Sequence, residues 1–222
     1  MLPSQTVENY LKTIFLAQIG DPSSDALVPM GQIAGALGVV PGTATTMIKA
    51  LAESGLVRYE PYMGVRLTPA GEKLAGLVLR RHRLIELFLV KVLDMSWAEV
   101  HDEAERLEHA VSERLIDRID DMLGRPAVDP HGDPIPSAEG RVPKLDHVSL
   151  MTAPVDTALI VTRVIDQDPE FLRFVEQQRL MPGQPVTVAC RDEAADSVNL
   201  QVDGVGVTIG ARAASKVLVR PV

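Results

Sequence analysis

Between residues 6 and 68 the sequence changes its hydrophobic rhythm at successive glycines, and that succession limits the fold more than any other feature. Val7, Tyr10, Leu11, Ile14, Phe15 and Ala17 recur at helical spacing over residues 6–19. Residues 20–25 then form a polar loop. A short second helix over 30–37 stops at Gly38, a residue suited to the left-handed conformation past a helix end. The tight connection 39–42 leads into a third helix over 43–54, with Ala44, Met47, Ile48 and Leu51 on its apolar side. After Gly55 the chain predicts two short strands, 56–60 and 65–68, around Pro61, Tyr62, Met63 and Gly64. Thr68 and Pro69 then open a further helix as N-cap and first-turn residue. Helix, helix, tight turn, helix and hairpin is the order of a winged helix-turn-helix, which places its recognition helix in the DNA major groove.

The third helix would present Gly42, Thr43, Thr45, Thr46 and Lys49 to DNA, with Arg66 on the wing. Threonine can donate to phosphates or bases and offers a methyl to thymine; Lys49 and Arg66 are suited to phosphates. No Arg, Asn or Gln lies on the outward face of that helix, so DNA shape is expected to contribute to recognition.

The next segment carries the chemistry. Residues 71–93 predict one long helix. Ser96 and Glu99 predict a capping box that starts a second helix reaching about residue 113, and a third helical stretch follows over 115–123. At about 100° per residue, His101, Glu105, Glu108 and His109 fall within an arc of roughly 100°. His82 and Glu86, four residues apart, share one face of the preceding helix. Two such faces can supply two metal ions with nitrogen and oxygen ligands. The same groups could instead form a solvated network with Arg80, Arg81, Arg83 and Arg106, worth about 0–1 kcal/mol per pair. Helices this apolar beside a small head also call for a partner, and a homodimer matches the two-fold symmetry of DNA half-sites.

Residues 125–154, dense in Pro, Gly and acidic groups, are expected to be a linker in which His131 is a turn residue. Five short strands within 158–219 suggest a small barrel, interrupted by a helix that Asp168 would cap. Cys190 is expected to pack within a strand. As the single cysteine it can form no intrachain disulfide, which fits a reducing cytoplasm. The net charge of −8 disfavours nonspecific nucleic-acid binding, unless basic groups cluster on one element or cations neutralise the carboxylates. No apolar run approaches the ~20 residues that span a bilayer, and the first residues lack a signal-peptide pattern, so a cytoplasmic protein without a membrane partner is expected.

Arg80-Arg81-His82-Arg83-Leu84 with Glu86, Val100-His101-Asp102-Glu103-Ala104-Glu105, Leu107-Glu108-His109, and Asp129-Pro130-His131-Gly132-Asp133-Pro134-Ile135-Pro136 form a specific combination. Together they resemble the diphtheria toxin repressor and manganese transport regulator family, over nearly the whole chain. The resemblance implies a mainly α fold with a small β part. Its parts would be a winged helix-turn-helix over 1–76, a helical metal-binding and dimerisation domain over 77–142, a linker over 143–154, and an SH3-like (FeoA-like) β-barrel over 155–222. It also implies a repressor of metal-uptake genes, and no enzyme, that binds double-stranded operator DNA as a homodimer with a divalent metal ion as effector.

By the same resemblance His82, Glu86 and His101 match one metal site, and Glu105, Glu108 and His109 match a second. The first-helix ligand of that second site falls on Asn9, where the family has Met or Asp. Lys12 stands where manganese-type members can have Glu, and Asp168 falls near a ligand position of the C-terminal domain. Glu105 replaces the Cys of iron-type members. A carboxylate is the harder ligand and favours Mn2+, with Fe2+ as the alternative and up to two ions per subunit. Two other functions fit these residues. One is a dinuclear-metal enzyme in a helical domain, although the paired Glu-x-x-His signature of di-iron bundles is missing. The other is a metal-independent winged-helix regulator.

Overall fold

The computed structural model of the protein describes residues 4–19, 27–143 and 146–222. The polar loop expected over 20–25 lies outside the described residues, as do 144–145 of the expected linker. The chain forms two compact units: Met1–His82 with Pro136–Val142, and Arg83–Ile135 with Pro143–Val222.

In the first unit, α1 (Gln5–Ile19) buries Tyr10, Leu11, Ile14 and Phe15, the stripe its periodicity predicts. Helix α2 (Met30–Ala36) ends at Gly38 with φ 62°. Helix α3 (Pro41–Glu53) starts two residues earlier than expected. Pro41 sits in its first turn, where a fixed φ and a missing N–H are both tolerated, so the tight connection is already helical at Pro41 and Gly42. Strands β1 (Val57–Glu60) and β2 (Gly64–Leu67) form the antiparallel wing, with Tyr59 opposite Val65. Thr68 caps α4 (Pro69–Leu93), its Oγ1 accepting from the Gly71 N–H at 3.2 Å. Leu11, Ile14, Ile33, Ile48 and Val65 are fully enclosed in this core, each contributing about 1.5–3 kcal/mol. The segment Pro136–Val142 lies directly on α4: a Cβ at Gly76 would stand 1.9 Å from the Gly140 carbonyl oxygen.

In the second unit the remainder of α4 packs with α5 (Val100–Leu107) and α6 (Glu113–Met122) around Leu84, Ile85, Val100, Ala104, Ile116 and Ile119. Two expectations are corrected here. The capping box at Ser96 is a turn, with Ser96 Oγ accepting from Ala98 N–H and its carbonyl from Glu99 N–H, and the helix begins at Val100. That helix also ends at Leu107 rather than near 113, because Ser112 caps a new helix by accepting from Leu115 N–H at 3.3 Å.

The rest of this unit is β3 (Val148–Ser149), β4 (Leu159–Val164), α7 (Pro169–Gln177), β5 (Pro185–Asp192), β6 (Ser197–Val202), β7 (Val205–Gly210), the short α8 (Ala211–Ala214) and β8 (Val217–Pro221). The strands form one sheet in the order β3-β8-β4-β5-β6-β7 with every pairing antiparallel. Val161, Val186, Val188, Val198, Leu200, Val202 and Val219 fill a single core on its inner side, in an SH3-like arrangement. Trp97 and Ala98 belong to the same core. Cys190 is exposed rather than packed. A bulge between Val188 and Cys190 breaks the in–out alternation that would have buried it. The stretch around His131 is also unlike a solvated linker: Asp129, His131, Asp133 and Ile135 are all buried. Among the described residues no helix is long and apolar enough to cross a membrane.

Candidate metal centre and nucleic-acid interface

On α3, Gly42, Thr43, Thr46 and Lys49 are exposed and Thr45 is half-buried. Thr45 Oγ1 donates to the Pro41 carbonyl at 2.9 Å and Thr46 Oγ1 to the Gly42 carbonyl at 3.0 Å. Their hydroxyl protons are therefore spent on the helix, leaving the methyls and oxygen lone pairs for a ligand. On the wing, Arg66 stands directly opposite Arg58. Like charges paired across strands are unfavourable alone, and a polyanion laid against the hairpin reverses that sign. Tyr62 at the hairpin tip is fully exposed with φ 66°, beside the exposed Met63.

Of the candidate metal ligands, Glu86 and His82 stand one turn apart on α4, both buried. In the second unit, His101 Nδ1 lies 3.2 Å from Glu86 Oε1 and its Nε2 lies 3.8 Å from Glu105 Oε1. Glu108 is the C-cap of α5 and His109 belongs to the turn that follows, so the two are not on the long helix the sequence suggested. They are nevertheless adjacent: His109 Nε2 is 3.2 Å from Glu108 Oε1, and Glu108 is fully buried. Asn9, on α1, has its amide oxygen buried with no hydrogen-bond partner among the described residues. Asp168 is exposed and caps α7, its Oδ1 accepting from Glu170 and Phe171 N–H.

Beside Glu86 lies a second polar group that the sequence reading missed. Arg83 donates to the Pro134 carbonyl at 2.5 Å and to Asp133 Oδ1 at 3.2 Å. Asp133 also accepts from Gln167 at 2.9 Å and pairs with Arg163 at 2.5 Å. His131 Nε2 meets the Trp97 carbonyl at 2.8 Å, the two rings stacked with centroids 5.5 Å apart. Burial pushes the Asp129 carboxyl well above the usual carboxylate range. The Asp133 and Glu86 charges push it further, and Arg83 opposes them.

Sequence comparison matches residues 3–65 to the N-terminal DNA binding domain of iron dependent repressors. Residues 68–137 match their metal binding and dimerisation domain, and 148–221 match the FeoA domain. The iron-dependent repressor IdeR of Mycobacterium tuberculosis is 31% identical over 196 residues, 82% of this chain and 83% of that protein. The chain belongs to the diphtheria toxin repressor and manganese transport regulator family.

Membership makes it a metal-dependent transcriptional repressor and sets aside the enzymatic and metal-independent readings. Another relative, the HTH-type transcriptional regulator MntR of Lysinibacillus sphaericus, is 33% identical over 122 residues, 55% of this chain and 84% of that protein. Among solved structures, a manganese-dependent transcriptional repressor in complex with manganese superposes with a TM-score of 0.86. It is 40% identical, with 97% of this chain and 100% of that one covered.

Glu8 on α1 forms a buried ion pair with Arg81 at 2.6 Å. A carboxylate at the edge of an apolar stripe and an Arg on another gave no signal of their pairing across 73 residues. Asp129, His131 and Asp133 did carry a signal, since polar residues two apart within a Pro-Gly segment can share one side of an extended stretch. Arg58 was legible only once the wing's register was known.

Proposed function

We propose that this repressor responds to Mn2+, with Fe2+ as the alternative effector, and silences metal-uptake genes by binding operator DNA as a homodimer in the cytoplasm. The observation that carries the reading is the placing of two imidazoles, His101 and His109, each 3.2 Å from a buried carboxylate. His82, Glu86 and His101 would hold one ion; Glu105, Glu108 and His109 the other, with the Asn9 amide oxygen as a neutral ligand. All these donors are nitrogen or oxygen, and the single cysteine is exposed on β5. That set suits Mn2+ better than a site containing thiolate. Asp168 Oδ1 caps α7, so Asp168 would join a ligand set only by giving up that role.

Exposed Leu93, Leu107, Leu115 and Met122 on the helical part of the second unit support a dimer surface. For DNA, the α3 face from Gly42 to Lys49, the Arg58–Arg66 pair and the Tyr62 tip are the contacts we assign. Metal acts by population shift: it favours the DNA-binding state to the extent that it binds that state more tightly.

The test is DNA binding to an operator selected from random duplexes, titrated with Mn2+, Fe2+ and Zn2+ at fixed salt and reversed with chelator. Binding should require metal and respond to Mn2+ at the lowest free concentration that supply allows. Glu105→Ala and His109→Ala should fold, as judged by circular dichroism, and lose metal stimulation. Unchanged stimulation in both variants would sink the ligand assignment.

A further inference from the structure

The interior side of Glu86 holds donor atoms that neither proposed ligand set uses. Glu86 Oε1 faces His101, whereas Glu86 Oε2 lies 3.9 Å from Nδ1 of His131. Together with Asp129, these three residues place one ligand atom each within 4.8 Å of the others, and all three are buried. Donors bound to one ion at about 2.0–2.2 Å lie roughly 3–4 Å apart, so small side-chain adjustments close this set.

Two of the atoms are fixed in the sense a metal needs. The Trp97 carbonyl can only accept, so His131 Nε2 must carry the proton and Nδ1 presents its lone pair. Donation of the remote ring N–H to a backbone carbonyl is how ligating histidines are commonly oriented. Asp129 Oδ1 accepts from the backbone N–H of His131 at 2.8 Å and of Asp133 at 2.9 Å, which turns Oδ2 inward. Both His131 Nδ1 and Asp129 Oδ2 are buried without a hydrogen-bond partner among the described residues. Arg83 Nε forms an ion pair with that oxygen at 3.6 Å, beyond hydrogen-bond length, while its two terminal nitrogens donate to Pro134 and Asp133. A buried carboxylate oxygen without a hydrogen bond and a bare imidazole lone pair are costly unless a cation meets them.

We infer that Glu86 Oε2, Asp129 Oδ2 and His131 Nδ1 form an interior site for a first-row divalent cation, distinct from the ions assigned to His82–Glu86–His101 and to Glu105–Glu108–His109. Its oxygen and nitrogen donors suit Mn2+, Fe2+ or Zn2+. The site ties α4 to the β-sheet, because the His131 carbonyl accepts from Val164 N–H of β4 at 2.8 Å. An ion there would make the placing of Glu86 depend on that sheet. The inference extends the metal-effector reading and rests on Glu86 being a ligand.

The deciding experiment uses the full chain with Mn2+ alone. Crystals grown at saturating Mn2+ should show an anomalous peak among these three atoms, a measurement that needs no variant. By equilibrium dialysis, Asp129→Asn and His131→Gln should each bind one Mn2+ per chain fewer than wild type. Glu105→Ala should lose a different ion, so that Asp129→Asn/Glu105→Ala loses two. No peak in the interior, or undiminished stoichiometry in both single variants, overturns the site. Failure of Mn2+ to stimulate DNA binding by the wild type would instead count against the effector reading, and the anomalous map would still decide the interior site.

Discussion

Gly132→Ala tests whether the Asp129–Asp133 loop is pinned to β4. Gly132 has φ 86°, and a Cβ there would lie 1.9 Å from the Thr162 carbonyl oxygen and 2.7 Å from the Arg163 Cα. Alanine in a left-handed conformation costs about 1–2 kcal/mol. The loop must also retreat by more than about 1 Å to bring the nearer contact to 3.0 Å, a separation that real Cβ atoms scarcely reach. Overpacking of this kind costs about 1–3 kcal/mol. The retreat stretches the buried Val164 N–H to His131 carbonyl bond, worth about 1 kcal/mol. Alanine recovers about 0.4–1 kcal/mol by restricting the unfolded chain. The net expectation is a loss of about 3 kcal/mol, roughly a hundredfold in the folding equilibrium. Urea unfolding in chelator should report it, with Gly183→Ala as control: that glycine has φ 95° with nothing within 4 Å of its Cβ position. The control should lose only the conformational part. If the two variants fell within 1 kcal/mol of each other, the loop would not be pinned, and the proposed link between His131 and the sheet would fail with it.

Three further outcomes are expected. Lys49→Ala should weaken DNA binding similarly across sequences and reduce the slope of log affinity against log salt by about 1; a changed base preference would contradict its assignment to phosphate. Thr46→Val keeps the methyl and removes a hydroxyl whose proton is already given to Gly42, so operator affinity should change less than about threefold. A tenfold loss in an anisotropy titration would show that the hydroxyl serves the DNA after all. The Lys216 ammonium, as hydrogen-bond partner, holds the Asp166 carboxyl below its usual range. Its stabilisation is therefore present above the ordinary Asp value of about 3.9 and lost as pH falls through the lowered folded value. Asp166→Asn should be less stable than wild type at pH 7 and converge with it in acid; a constant difference in urea midpoint across that range would refute the pairing.

How much of this was legible in the sequence depended on whether an element has one wet and one dry face. The stripe on α1, the Gly38 stop and the Thr68 cap announced themselves because each has a local cause. So did the pairing of His82 with Glu86, which helix geometry alone dictates. The division of α5 from α6 was hidden: Val111 and Leu115 continue an apolar rhythm across the break, and Ser112 looks like an ordinary surface residue until its cap is seen. Cys190 was misplaced because a bulge is a one-residue event with no compositional mark. The loop around His131 was misjudged for a deeper reason. Asp, Pro and Gly in succession ordinarily mean solvent, and burial here works only through partners far along the chain, Arg83 50 residues before Asp133 and Gln167 34 after it.

That last case bears on what the buried charges are for. An ionic core is poor value for stability alone, since apolar residues of similar volume often do as well or better. What it supplies instead is direction. Asp129 is aimed by two backbone N–H groups and His131 by one carbonyl. Asp133 is held by two arginines and a glutamine from three different segments. An apolar loop of equal volume could fill the same space beside Glu86 but could not orient two donor atoms toward its carboxylate. Glu86 thus meets a histidine on each side, His131 through Oε2 and His101 through Oε1. On this reasoning, changes at Asp129 or His131 should alter the metal response of a chain whose His101, Glu105, Glu108 and His109 are all intact.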